Sequence, residues 1–333
     1  MKYFNFRTIV LVALVFCGTL LKAQETKPKI GFILANLYVD RWHSDKNMFQ
    51  DEINRLGGEV IFIDAYDNAD NQVKAASKLV SDGVDLLVVV PVDGLSASKI
   101  VDIGHKAGIK VIAYDRLIMN SNLDYYISFN SIKVGELMAG FVVEKIPAGT
   151  ILNVCGPLED NNSFLIKDGV KNVLDPLVAE NKYKVSHVHV STWNPLDAYL
   201  LVEQYLTRNP MPGAIICAAD VLARGVAELL QLSGDIGNVI ITGQDAELEI
   251  CKMIVNGDIG ISVYKPIPLL AETAARIAMD IVKGKEINST ESVNNGFIDV
   301  PAIFLEPIPV TKETIDENII ESGYYTREQV YGK

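Results

Sequence analysis

The stretch KIGFILANLYVDRWHSDKNMFQDEINRLGGEVIFIDA, residues 29–65, decides the fold. Its ends, Lys29–Ala35 and Glu59–Ala65, are short apolar runs without strict alternation, the pattern of strands covered on both faces. Between them Ser44–Leu56 reads as a helix that stops at Gly57-Gly58, where a left-handed cap needs no Cβ. Strand, helix and strand in close succession imply a parallel crossover unit.

The unit repeats in both halves. Helices are expected at Asn71–Ser81 and Ser96–Lys106, and strands at Val84–Val90 and Lys110–Tyr114, with Gly83 and Gly108 as further stops. A short strand, Asp124–Phe129, interrupts the rhythm. A second series follows, with strands at Thr150–Cys155, Tyr183–Val190, Ala214–Ala218, Val239–Thr242 and Gly260–Tyr264. Its helices are read at Ile132–Ile146, Phe164–Leu177, Asp197–Thr207, Val221–Leu232 and Glu247–Val255. The long helix Leu269–Lys283 sets Leu270, Ala274, Ile277 and Ile281 on one core-facing side. Two βα series of similar size predict an α/β protein of two doubly wound parallel-sheet lobes. No Pro/Gly/Ser-rich linker separates them, so a short hinge is expected.

Composition agrees: 333 residues, 49% hydrophobic and 22% charged, suffice for two medium lobes. Lys2 and Arg7 precede the apolar run Thr8–Leu21, and Ala23 stands at a plausible cleavage point, so residues 1–23 read as a secretory signal peptide. The run is too short to span a membrane. Phe16 before Cys17 argues against a lipoprotein signal. Cleavage removes Lys2, Arg7 and Lys22 and no acid, leaving 27 basic against 42 acidic groups, a net charge of −15. Such a surface repels phosphate backbones, and nucleic acid is not expected as a partner. Cys155, Cys217 and Cys251 are odd in number and lie in apolar neighbourhoods, which predicts buried free thiols rather than a disulfide framework.

In open α/β sheets, ligands bind beyond the carboxyl ends of the strands. Those exits supply Asn36 and Arg41-Trp42, then Asp93, then Asp115-Arg116. The second half adds Asp160-Asn161-Asn162, Trp193-Asn194, Asp220, Gln244-Asp245 and Lys265. Any one of these polar residues can be a helix cap; together they describe a polar cleft. Carboxylates and amides suit paired hydroxyls, and arginine offers a planar fork of donors. The two tryptophans, one per half, offer flat faces to a ring with apolar C–H surfaces. The adjacent Asp115 and Arg116 are expected to pair with each other while presenting their remaining groups to a ligand.

Other chemistries lack their motifs. No G-x-x-x-x-G-K-[ST] occurs, no G-x-G-x-x-G follows the first strand, and neither H-E-x-x-H nor G-x-S-x-G is present. His187 and His189 share a strand face but have no third ligand nearby, so no metal site is expected. Asp67–Asn71 resembles a calcium loop only faintly and reads better as a helix cap. No cofactor is called for.

The stretches DRWHSD (40–45), AYDRLI (113–118), YYISFNSIKVGEL (125–137), DNN (160–162), ITGQDAEL (241–248), VYKPIPLLAETAA (263–275) and NNGFIDVP (294–301) resemble the periplasmic sugar-binding proteins of ABC importers, above all the xylose-binding members. The resemblance runs from about Lys29 to the C-terminus. It implies a type I periplasmic binding protein, with lobes of residues 28–130 plus 266–296 and 131–265 plus 297–333. Three crossings are implied, near Asn130, Lys265 and Gly296–Val300. It also implies sugar contacts at Arg41, Trp42, Arg116, Asp160, Asn162, Trp193, Asp245 and Lys265, with Asp115 lining the cleft; Asp93 is added from its strand exit. One departure stands out: where the family usually has Asn-Asp, this chain has Ala219-Asp220, which withdraws one amide from the implied sugar contacts.

The expected function is a monomeric periplasmic receptor for a monosaccharide, presenting it to the permease of an ABC importer or to a membrane sensor kinase. A sugar-converting enzyme would use Asp115, Asp245 and Lys265 as acid–base groups, but hydroxyl recognition needs the same residues. A transcription regulator would need a DNA-binding headpiece where this chain has its leader.

Overall fold

The computed structural model describes residues 27–38, 40–289 and 291–332. The leader read at residues 1–23, with its cleavage point after Ala23, lies outside the described residues. The first series runs β1 (Lys29–Leu34), α1 (Asp40–Arg55), β2 (Glu59–Asp64), α2 (Ala69–Ser81), β3 (Leu86–Val89), α3 (Ser98–Lys106), β4 (Lys110–Tyr114) and β5 (Tyr125–Phe129). The second runs α4 (Ser131–Lys145), β6 (Gly149–Cys155), α5 (Asn161–Ala179), β7 (Tyr183–His189), α6 (Pro195–Leu206), β8 (Ala214–Cys217), α7 (Asp220–Ser233), β9 (Ile240–Gln244), α8 (Leu248–Asn256) and β10 (Ile261–Tyr264). The chain then returns through α9 (Ile267–Val282), β11 (Glu291–Asn294) and β12 (Asp299–Leu305), and ends in β13 (Ile308–Val310), a π-helical turn (Asp316–Glu321) and α10 (Arg327–Tyr331).

The strands form two sheets, ordered β11-β12-β5-β4-β3-β1-β2 and β13-β10-β9-β8-β6-β7. Within β1–β5 and within β6–β10 every pairing is parallel. Only the outermost β11 and β13 run antiparallel to their neighbours. Both lobes thus share one winding, whose strand order reverses between β1 and β3 and again between β6 and β8. Crevices for ligands open at such reversals, beyond the strands' carboxyl ends.

The buried strands explain the unbroken apolar runs. Phe32, Leu34, Val88 and Ile112 pack on one face of the first sheet under α1 and α9, while Ile33, Val89 and Val111 pack on the other under α2 and α3. On α9 Leu270 and Ala274 are fully buried, and Ile277 and Ile281 pack against the same core. In the second lobe α4 and α5 approach so closely that a Cβ on Gly135 would lie 2.8 Å from the Val170 nitrogen. Only glycine permits that crossing. Asn68 caps α2 by accepting from the Asn71 N–H, the role expected of the false calcium loop. Cys155, Cys217 and Cys251 are buried free thiols.

The lobes are joined at Asn130, between β5 and α4, at Lys265-Pro266, between β10 and α9, and at Glu306-Pro307, between β12 and β13. The third crossing therefore falls later than Gly296–Val300. Residues 297–305 belong to the first sheet, because β12 pairs in parallel with β5 and Phe304 packs edge-on against Tyr126. Gly296, with φ +88°, instead closes the β11–β12 hairpin. There Asn295 accepts from the N–H groups of Phe297 and Ile298 and donates to the carbonyls of Ile118 and Ser121.

Candidate binding site between the lobes

The helix α1 begins at Asp40, a turn before the expected start at Ser44. Hydropathy makes DRWHSD look like a loop, but Trp42 and Asp45, three residues apart, both turn into the lobe and are buried. Arg41 thereby sits in the first helical turn, above the carboxyl end of β1.

The exit of β4 explains why an acid and a base stand side by side. Asp115 adopts φ +63°, and the Arg116 N–H bonds back to the Tyr114 carbonyl at 2.7 Å, a three-residue γ-turn of the uncommon hand. The strain is held by the neighbours of the Asp115 carbonyl, which accepts from Tyr126 Oη and Ser128 Oγ at 2.8 Å and from Asn162 Nδ2, of the other lobe, at 3.0 Å. The two side chains pair with different partners and not with each other, contrary to expectation. Asp115 Oδ1 accepts from Arg41 Nη2 at 2.7 Å, and Arg116 Nε meets Asp160 Oδ2 of the second lobe at 3.0 Å.

Two polar groups result. In the first, Arg41 reaches Asp115 with one terminal nitrogen and Asp245, at the exit of β9, with the other at 3.3 Å. Lys265 Nζ lies 3.0 Å from Asp245 and 3.9 Å from Asp115. Burial alone would raise the Asp115 carboxyl, but Arg41, Lys265 and Arg116 together hold it below the ordinary carboxylate value. Burial works against the charge on Arg41 as well, yet Asp115, Asp45 and Asp245 leave it more firmly protonated than a free guanidinium. In the second group, Asp160 accepts from the Asn162 N–H, capping α5, and from Trp193 Nε1 at 3.3 Å, in addition to Arg116.

The tryptophans differ. Trp42 is 3% exposed and belongs to the first lobe's core, with the guanidinium carbons of Arg41 and Arg116 at 4.6 and 5.8 Å from its ring centre. Trp193 is half-buried and lies across Gly156, where a Cβ would come within 2.5 Å of Cζ2.

The structure thus brings together Arg41, Trp42, Asp115, Arg116, Asp160, Asn162, Trp193, Asp245 and Lys265. Asp93 is engaged elsewhere: its Oδ1 accepts from the Ser96 N–H in the turn before α3. Asn194 caps α6, and Asn36 donates to Asp67. Asp220 does not cap its own helix. It is fully buried, bonds Ser262 Oγ and the Glu247 N–H at 2.8 Å, and so braces the loop that carries Asp245. His187 faces Asn153, and His189 faces Gly156 and Lys167, on the edge strand β7. Sequence reasoning missed Asp45, which faces Arg41 from the next turn of α1, and Tyr114, which bonds it. The i, i+4 spacing of Arg41 and Asp45 was the available signal.

The pattern of residues 30–286 matches that of a periplasmic binding protein domain. The chain is 38% identical over 326 residues to the D-xylose-binding periplasmic protein of Haemophilus influenzae, covering 97% of each, and 36% identical to that of Escherichia coli over 96% and 98% of the two chains. Among solved structures, a carbohydrate transporter solute-binding protein from Chloroflexus aurantiacus, in complex with D-glucose, superposes with a TM-score of 0.85 at 26% identity, covering 91% of this chain and 98% of that one. These relatives are binding proteins and not enzymes. A shared two-lobed winding, a matching domain over most of the length and near-complete alignment leave one assignment: the chain belongs to the sugar-binding branch of the periplasmic binding proteins.

Proposed function

We propose that this protein closes its two lobes on one monosaccharide, xylose or a related aldose, and delivers it to the membrane permease of an ABC importer, acting as a monomer without a cofactor. One observation carries the reading: Arg41, Asp115, Asp245 and Lys265 converge from both lobes and the crossing between them. Guanidinium and ammonium groups only donate and carboxylates only accept, whereas a sugar hydroxyl does both. Hydroxyls entering among these four side chains exchange ionic contacts for charge-assisted hydrogen bonds without leaving a charge unpaired. Trp42 and Trp193 supply apolar faces for the ring's C–H groups, and Arg116, Asp160 and Asn162 complete the polar wall. Asp93 is assigned only to bracing the turn before α3.

A thermal-shift screen of the purified protein against pentoses and hexoses tests the reading; an aldose is expected to raise the melting temperature, and a flat panel would sink it. The recipient is tested by uptake of labelled sugar with and without this chain. Loss of uptake is expected; intact uptake with lost sugar-induced transcription would make the partner a sensor kinase.

A further inference from the structure

We propose that Asp45 is a positioning residue for this site, holding the Arg41 guanidinium in place from behind and thereby making sugar affinity depend on pH. The inference rests on the sugar-binding reading above. Asp45 lies one turn along α1 from Arg41 and is completely buried. Its Oδ1 accepts from the hydroxyl of Tyr114, and its Oδ2 faces Arg41 Nε at 3.5 Å. Neither that oxygen nor Nε has any hydrogen-bond partner among the described residues, and the two face each other at ion-pair distance.

The geometry divides the guanidinium between two tasks. Its terminal nitrogens face Asp115 and Asp245, one carboxylate from each lobe, and only Nε points back toward α1. An arginine held by its tips alone can swing about its long stem, and the anion behind Nε fixes the plane in which the tips reach the cleft. Asp45 cannot itself touch a sugar, because Tyr114 and Arg41 cover its two oxygens. Three carboxylates surround two cations here, so one acid is in excess, and Asp45 is the most deeply buried of the three.

The groups facing Asp45 are Arg41 on its own helix, Tyr114 and Asp115 from β4 and its exit, and Lys265 from the crossing after β10. Burial is the largest influence and raises its carboxyl to about 6; Arg41, the Tyr114 bond and Lys265 oppose the rise, and Asp115 adds to it. A proton is therefore taken up between neutrality and pH 5. The protonated acid no longer anchors Nε by charge. Since the sugar-bound arrangement needs the ionised form, binding at low pH must expel a proton, and affinity falls as pH falls, by up to about tenfold for each unit below the transition.

The test is calorimetric titration with D-xylose and D-glucose from pH 8 to pH 5, on wild type, Asp45→Asn and Tyr114→Phe. For whichever sugar binds at pH 8, wild-type affinity is expected to drop about tenfold by pH 5, and Asp45→Asn is expected to be weak and nearly flat across the range. Tyr114→Phe removes a donor to the ionised carboxylate and shifts the wild-type transition to higher pH, which keeps the idea testable if Asp45→Asn does not fold. A wild-type affinity that ignores pH, an Asp45→Asn profile like the wild type's, or an unmoved transition in Tyr114→Phe overturns the proposal while leaving sugar binding intact. Absence of binding by either sugar at every pH, together with a flat thermal-shift panel of pentoses and hexoses, overturns the sugar reading itself.

Discussion

Gly156→Ala adds a single methyl group beneath the Trp193 ring and tests whether that ring belongs to the site. The position has no left-handed backbone angle, so alanine fits the main chain, and the effect is one of packing alone. The new Cβ would stand 2.5 Å from Cζ2 and nearer still to Cη2. Carbon atoms rest about 3.5–4.0 Å apart, so the ring edge must retreat by about 1 Å. Trp193 is half-buried and can move outward, so stability should fall by about 1 kcal/mol, the low end for overpacking. Affinity should suffer more. The retreat stretches the 3.3 Å bond from Nε1 to Asp160 beyond hydrogen-bonding range and tilts the face offered to the sugar. One lost hydrogen bond and a mis-set aromatic surface together cost about 2 kcal/mol, near thirtyfold in Kd. Calorimetric titration gives the affinity, and near-ultraviolet circular dichroism reports the ring's displacement. Adding Gly156→Ala to Trp193→Ala should then cost clearly less than it does in the wild type, since the clashing ring is gone and only the contact with the Ser163 hydroxyl remains. Unchanged affinity in Gly156→Ala alongside a visibly displaced ring would remove Trp193 from the binding surface.

Further outcomes are expected from the same geometry. Trp42→Ala and Trp193→Ala should each weaken sugar binding by about 1–3 kcal/mol. Only Trp42→Ala, which empties a core position, should also lower stability, by about 3–5 kcal/mol in a denaturant titration; equal stability losses would contradict the burial difference. Ala219 is the N-cap of α7 and makes no side-chain cap bond, so Ala219→Asn should gain about 0.5–2 kcal/mol of stability and favour xylose over other pentoses by about 1 kcal/mol. Identical titration profiles across a pentose panel would place residue 219 outside the site. Mass spectrometry of the native protein should find a mature chain beginning at or near Gln24; an intact Met1 or a lipidated Cys17 would refute the leader reading.

The legible parts of the fold are those set by local pattern. Strands buried on both faces must be apolar throughout, so Lys29–Leu34, Leu86–Val89 and Ala214–Cys217 announce themselves, and their exits name most of the site. Tertiary pairing decided the rest. The resemblance set the third crossing near Gly296–Val300, yet DVPAIFL adds to the first sheet because β5 offers a free parallel edge. Asp45 was invisible while α1 was started at Ser44, since the pairing with Arg41 exists only if both lie on one helix. The partners of Asp115 and Arg116 depend on a positive φ, which no hydropathy pattern records.

That turn has a counterpart that bears on how closure and recognition are linked. Asp115 follows the fourth strand of the first lobe's series and Asp245 the fourth of the second, with φ of +63° and +98°. Both carboxylates converge on Arg41, from the first helix of the first lobe. The helix that follows the first strand of the second lobe, α5, answers with Asn162, which holds the Asp115 carbonyl, while Asp160 just before it takes Arg116. The polar bonds that join the lobes are thus made by the residues proposed to read the sugar. A hydroxyl that enters between Arg41 and Asp245 must offset the ion pair it parts, and only a hydroxyl placed to bond both groups does so. A misplaced one leaves a buried donor or acceptor unmet, at a cost of about 1–3 kcal/mol. Discrimination among aldoses therefore comes from the bonds each stereoisomer fails to remake rather than from the sum of those it forms. On the same reasoning, Ala219→Asn is expected to change selectivity through one added or misplaced hydrogen bond rather than through any change of fold.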